Sequence, residues 1–365
     1  MPDPRLVLLN PGPAGTSARV RAATGRGDMG YREPEFAEVL RSIRATLPGA
    51  LHVPGHEAIL ATGSGTMAME MTVISSVRPG RALLVVNNGV YGDRLKRVAV
   101  ANQIRCYEVA GDWFTPIGVD AVDAALRAHP DVDAVACVHH ETSTGVINPI
   151  KEIGALTEDT DVAFIIDAIS AAGSEEPDLG EVAADIIVGT ASNGLHGLPG
   201  ISFILASPKG ADRLRQVPER NIHLNVATYL DSQQQRLVPF TPAVQACFAM
   251  DEAIREFVDL GGFAARTAMY RERAALIRNG FADLSLRMRI AREHRSHSVN
   301  LLHLPAGVTY DMLHGELKRA GYVIYAGQGP LAREYFRVCT MGELPLSVLE
   351  RFLSDLGETL AELAR

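Results

Sequence analysis

The chain has 365 residues, a length that fits about two ordinary domains. An apolar content of 47% with 21% charged residues is that of a soluble globular protein, and a formal charge of −8 excludes the basic groove that nucleic acid requires. No stretch approaches the ~20 apolar residues of a membrane helix, and the N-terminus lacks a charged segment followed by an apolar one, so a cytoplasmic protein without a membrane partner is expected.

Six short apolar runs rich in β-branched residues follow one another: Ala58–Ala61, Ala82–Val86, Ala134–Val138, Val162–Ile166, Asp185–Val188 and Ile201–Leu205. Runs without alternation suit strands covered on both faces, which predicts a parallel or mixed sheet with helices on each side. Helical patterns fall between them at Pro34–Leu47, Thr66–Val77, Tyr91–Gln103, Val119–Ala128 and Ile150–Glu158. Past Asp251 the pattern changes to a long helix, Asp251–Gly280, then strand-like Ser298–His303, a helix at Thr309–Ala320, strand-like Tyr322–Tyr325 and Tyr335–Cys339, and a final helix from Pro345. This predicts an α/β domain over residues 18–255 and a smaller α+β domain over 256–365 joined by 1–17, with an unbroken helix near 250–280 as the boundary.

The residues able to carry chemistry gather where strands end. Gly63-Ser64-Gly65-Thr66 opens a helix and suits either a phosphate or an ordinary cap. Asp167 ends one strand, where a carboxylate can cap a turn or hold a proton on a ring nitrogen. Tyr91 follows another and could stack on a planar ring or fill the core. His139-His140-Glu141-Thr142 follows a third. Adjacent histidines at a strand end point apart, so no metal is expected there, and the spread of Cys106, Cys137, Cys247 and Cys339 suggests neither zinc nor a disulfide framework. Their common place at the carboxyl ends of strands is where ligands of open α/β sheets bind.

These residues resemble those of class V aminotransferases, the fold-type I pyridoxal phosphate enzymes, and among them the 2-aminoethylphosphonate–pyruvate transaminases. The likeness runs through Leu8–Pro13, Asp28–Phe36, Gly63–Thr66, Asn88–Gly92, His139–Gly145, Asp167–Ser170, Phe240–Pro242 and Phe336-Arg337. It implies that Ser64, Gly65 and Thr66 bind the cofactor phosphate, that Tyr91 stacks on the ring, that Thr142 lies near the ring hydroxyl, and that Asp167 pairs with the ring nitrogen. It further implies a homodimer in which Thr241 reaches the neighbouring subunit's phosphate, with Arg337 holding the substrate carboxylate and Arg32 assisting an anionic group.

The departure is central: where the family reads Ser-Asn-Lys, this chain reads Ala191-Ser192-Asn193, with Ser192 kept as a cofactor contact. Asparagine can neither form an imine nor act as a base near neutral pH. Only Lys96, Lys151, Lys209 and Lys318 could supply another amine, and none stands in a suitable context. The leading expectation is an enzyme that holds pyridoxal or pyridoxamine phosphate non-covalently and acts on an amino acid, keto acid or phosphonate, with His196, or else His140, moving protons. Three alternatives stay open: a cofactor-free enzyme using the phosphate cup for a phosphonate or phosphorylated substrate, an inactive binding or regulatory homologue, and an engineered Lys-to-Asn variant.

Overall fold

The computed structural model describes residues 6–364; residues 1–5 and 365, which the expected small domain includes, lie outside the described residues. Seven strands form the main sheet: β1 (Glu57–Thr62), β2 (Ala82–Asn87), β3 (Arg105–Ala110), β4 (Val132–Val138), β5 (Ala163–Asp167), β6 (Ile186–Thr190) and β7 (Ile201–Ala206). Their order is β1-β7-β6-β5-β4-β2-β3. All neighbours are parallel except β7, which runs antiparallel to both β1 and β6.

The continuous apolar runs serve two cores at once. Leu60, Leu84, Val86, Val135, Phe164, Ile166, Ile187 and Phe203 pack into one cluster. Their neighbours Ile59, Leu83, Val85, Ala136, Ile165, Ile186, Val188 and Ile204 pack into another. Successive side chains of a strand face opposite ways, so a strand buried on both faces must be apolar throughout.

Helix α1 (Pro34–Ala50) packs beside β1, and two helices begin at the site, α2 (Gly65–Ser76) and α3 (Val90–Ala101). Pro34 starts α1 where its missing N–H costs nothing, and Ser64 caps α2 by accepting from Met67 N–H at 3.2 Å. The expected unbroken helix is in fact two, α4 (Val244–Asp259) and α5 (Gly262–Asp283). Gly261 separates them at φ +99°, a left-handed conformation that helical backbone cannot contain.

The C-terminal part has a three-stranded antiparallel sheet, ordered β8-β10-β9, of β8 (Val299–His303), β9 (Tyr325–Ala326) and β10 (Tyr335–Cys339). The expected strand Tyr322–Tyr325 is split: Tyr322-Val323 instead pairs in parallel with Val7-Leu8 near the start of the chain. Leu9 is buried in the same cluster as Ile277, Phe281, Phe336 and Phe352, the last on α6 (Leu346–Leu363). From there an N-terminal strap continues through Gly15. Leu9 N–H donates to Val323 O, Cys339 N–H to Leu9 O, and Glu343 N–H to Gly15 O, at 2.8 to 2.9 Å.

Candidate active site

A cavity of about 260 Å³ opens at the carboxyl ends of β1, β4, β5 and β6, beside the N-termini of α2 and α3. Ser64, Gly65, Thr66, Tyr91, His140, Thr142, Asp167, Ser192 and Asn193 all line it. The strap closes another side with Pro11, Gly12 and Pro13.

The cup forms where β1 turns into α2. Gly63, at φ +151°, makes this turn; a Cβ there would meet Met67 Sδ at 2.4 Å. Its N–H donates to Gly200 O at 2.9 Å, tying the cup to the start of β7. The first N–H groups of a 12-residue helix then face the cavity with two hydroxyls. That is the donor set and dipole end an anion requires.

Arg94 joins the site without belonging to any of the motifs. Its guanidinium donates to Thr66 Oγ1 at 2.8 Å and lies 4.7 Å from the centre of the Tyr91 ring. Leu95 and Val98 of α3 line the cavity with it. Their spacing from Tyr91 along the helix is the signal that could have found Arg94, since residues three and four apart share a face. The strap's part as a wall depends on long-range pairing, which no local motif reveals.

Asp167 ends β5, and its Oδ1 accepts from Ile169 N–H at 3.0 Å. No other hydrogen bond reaches this carboxylate among the described residues. Burial pushes its pKa up to about 7, opposed by the Ile169 bond, reinforced by the Glu141 charge and relieved by Arg94. The group is thus poised to accept a positively charged donor. Glu141, fully buried, serves the fold instead, accepting from Tyr91 N–H at 3.1 Å and Gly92 N–H at 3.3 Å and so capping α3.

Among the described residues His140 is the only imidazole on the cavity wall, and neither ring nitrogen has a partner at hydrogen-bond geometry. Burial lowers its pKa, against the pull of the Glu175 carboxylate and the Ser170 backbone. His139 points elsewhere, its Nε2 2.9 Å from Glu176 O.

The turn after β6 brings Asn193 to the cavity. Its Nδ2 donates to Pro11 O at 3.2 Å, and Ser192 Oγ lies 3.3 Å from its Oδ1. His196 does not reach the cavity, contrary to its expected role there. Its φ of +56° turns it behind the loop, where Nε2 is 2.6 Å from Tyr270 Oη and accepts from Gly342 N–H at 3.2 Å. Burial, then the Arg266 and Arg273 charges, hold its pKa well below the ordinary value, so it is a neutral structural acceptor.

Three other predicted residues lie off this cavity. Arg337 is buried behind Thr142, donating to Thr142 O at 2.9 Å and Ala326 O at 3.0 Å, with no carboxylate partner among the described residues. Arg32 is exposed over the Tyr31 ring, and Thr241 is exposed beside a separate depression near Phe240 and Pro242. Among the described residues no lysine lines the cavity: Lys96 pairs with Glu108, Lys151 with Glu181 and Lys209 with Asp185, while Lys318 is exposed.

The architecture is that of fold-type I aminotransferases. It superposes on the ureidoglycine–glyoxylate aminotransferase of Bacillus subtilis with a TM-score of 0.95 at 23% identity, covering 100% of this chain and 95% of the other. A family model, aminotransferase class V, matches residues 16–330, and the chain belongs to that family. It is 30% identical to 2-aminoethylphosphonate–pyruvate transaminase 1 of Polaromonas sp., over 98% of this chain and 96% of the relative. Identity to the 2-aminoethylphosphonate–pyruvate transaminase of Aeromonas hydrophila is 29%, over 93% and 90% of the two chains.

Proposed function

We propose that this class V aminotransferase homologue holds pyridoxal phosphate or pyridoxamine phosphate without a covalent link and acts with it on an amino acid, a keto acid or a phosphonate. The observation that carries this reading is one cavity with a helix-terminal anion cup and a buried, open carboxylate, and no lysine among the described residues of its wall. The residues present fit the group. Ser64, Gly65 and Thr66 would hold the phosphate, with Arg94 adding positive charge; Asp167 would keep a proton on the ring nitrogen; Tyr91 would pack on the ring and Thr142 stand near its hydroxyl. When bound, the group supplies an electron-withdrawing ring that stabilises negative charge developing beside it.

The remaining chemistry falls to side chains. His140 rather than His196 would take and return a proton; what supports this is that among the described residues it alone contributes an imidazole to the cavity lining and neither of its ring nitrogens has a partner. Arg337, which has no carboxylate partner among the described residues, lies behind Thr142 and would bind the carboxylate or phosphonate of a substrate that extends past this cavity wall. Thr241, remote from its own cavity, would meet the cofactor phosphate of the partner in a homodimer. Without a lysine, exchange between cofactor and substrate has no covalent relay, so turnover by ordinary transamination is expected to be slow.

The test is an absorbance spectrum with intact mass, taken after incubation with either cofactor form and desalting. The expected result is a retained chromophore with no covalent mass increase. A colourless protein that keeps neither form would overturn the reading and direct attention to phosphonates or phosphorylated metabolites bound directly in the cup.

A further inference from the structure

Asn193 presents its two ends to different surroundings. Its Nδ2 is enclosed by the strap, 3.2 Å from Pro11 O and 4.0 Å from Met341 Sδ. Pro11 O can only accept, which fixes the nitrogen as the end of the amide that bonds the strap and leaves the oxygen as the other end. Gly12 permits this fit, since a Cβ there would stand 2.9 Å from Nδ2. The donor near Oδ1 is the Ser192 hydroxyl at 3.3 Å, a long contact, and an amide oxygen has two lone pairs. At the place where the family resemblance puts a lysine, the cavity therefore offers an open acceptor.

We infer that Asn193 selects the amine form of the cofactor, pyridoxamine phosphate, over the aldehyde form, an inference that rests on the non-covalent reading above. An amine or ammonium group donates to an amide oxygen. An aldehyde oxygen can only accept, so it meets Asn193 Oδ1 as one acceptor meets another. A lysine at this position would reverse the preference by condensing with the aldehyde; asparagine removes that gain. The species that the protein receives or retains is then the amine.

Equilibrium dialysis of the full-length protein against pyridoxamine phosphate, pyridoxal phosphate and 4-deoxypyridoxine 5′-phosphate tests this. The expected order places pyridoxamine phosphate about tenfold tighter than the aldehyde, the scale of one hydrogen bond to a charged donor. Asn193→Leu and Asn193→Ala both remove the acceptor and should bring pyridoxamine phosphate within about twofold of the deoxy analogue. The smaller variant guards against overfilling by leucine. Equal or tighter binding of the aldehyde by the unmodified protein would overturn the inference while leaving the non-covalent reading intact. So would a preference that survives in both variants. Failure of all three ligands to bind would instead sink the non-covalent reading, and this inference with it.

Discussion

The two sides of the cavity have treated their polar groups in opposite ways. On the side of β1, β4 and β5, the Asp167 carboxylate has the Ile169 N–H as its one partner among the described residues, and both buried His140 ring nitrogens have none. On the side of the turn after β6, His196 is tied to Tyr270 and Gly342 and Gly194 O to Arg266 at 2.8 Å, while Asn193 spans both kinds, its Nδ2 tied to Pro11 O and its Oδ1 left with one long contact to Ser192. Buried polar groups without partners cost stability, so those that remain open mark where a ligand completes them, whereas paired ones hold shape. The comparison therefore separates groups that bind from groups that brace, although all of them follow strands of the one sheet.

The strongest break is expected at the braced side. His196→Ala leaves Tyr270 Oη buried without its acceptor, leaves Gly342 N–H only a 3.4 Å contact to that oxygen, and opens a cavity, so it should cost about 2–4 kcal/mol in urea unfolding. Cofactor affinity should change by less than about twofold, because the ring does not touch the cavity. Unchanged stability with lost binding would move His196 to the open side. Next, Asp167→Asn should weaken retention of pyridoxamine phosphate about 10–100-fold, the value of a charge-assisted hydrogen bond, with stability preserved or improved; equal retention by dialysis would show that the carboxylate does not meet the ring.

Asp167 also sharpens the contrast through pH. Its folded pKa of about 7 stands above the unfolded value of about 4. Its contribution to the ligand-free protein is thus fully present below about pH 4 and is lost as pH rises through about 7. The stability of Asp167→Asn minus that of the unmodified chain should therefore increase across this window, measured by urea unfolding at each pH; a flat difference would place the carboxyl in a wetter setting. The smallest effect is expected from Arg94→Met, about threefold weaker phosphate or cofactor binding, as befits a supporting charge. A loss as large as that of Asp167→Asn would make Arg94 a principal phosphate ligand.

Much of this was legible in residues 58–205, because a strand covered on both faces must be apolar at every position. The strand Arg105–Ala110 is hidden in the sequence for the complementary reason: it is the sheet edge, mostly half-exposed, and carries Arg105 and Glu108 among its six residues. Gathering Ser64, Tyr91, Thr142 and Asp167 required only the rule that ligands bind beyond strand ends. His196 could not be placed in that way, since its direction is set by a positive φ and by Tyr270, 74 residues away. The break at Gly261 was signalled by Gly261-Gly262 within the helical pattern, a pair that the periodicity on either side outweighed.

The strap has a kinetic consequence as well. Residues 7–15 precede the main sheet in the chain, yet besides Ser192 and Asn193 their hydrogen-bond partners include Gly321, Val323, Cys339 and Glu343. Contacts separated by more than three hundred positions close slowly, because the intervening chain must first be organised. A chain halted before residue 321 holds the cup and Asp167, but its strap is anchored only through Ala14 N–H to Ser192 O and Pro11 O to Asn193. Retention of ligand would then report that residues 7–15 and 321–343 have met.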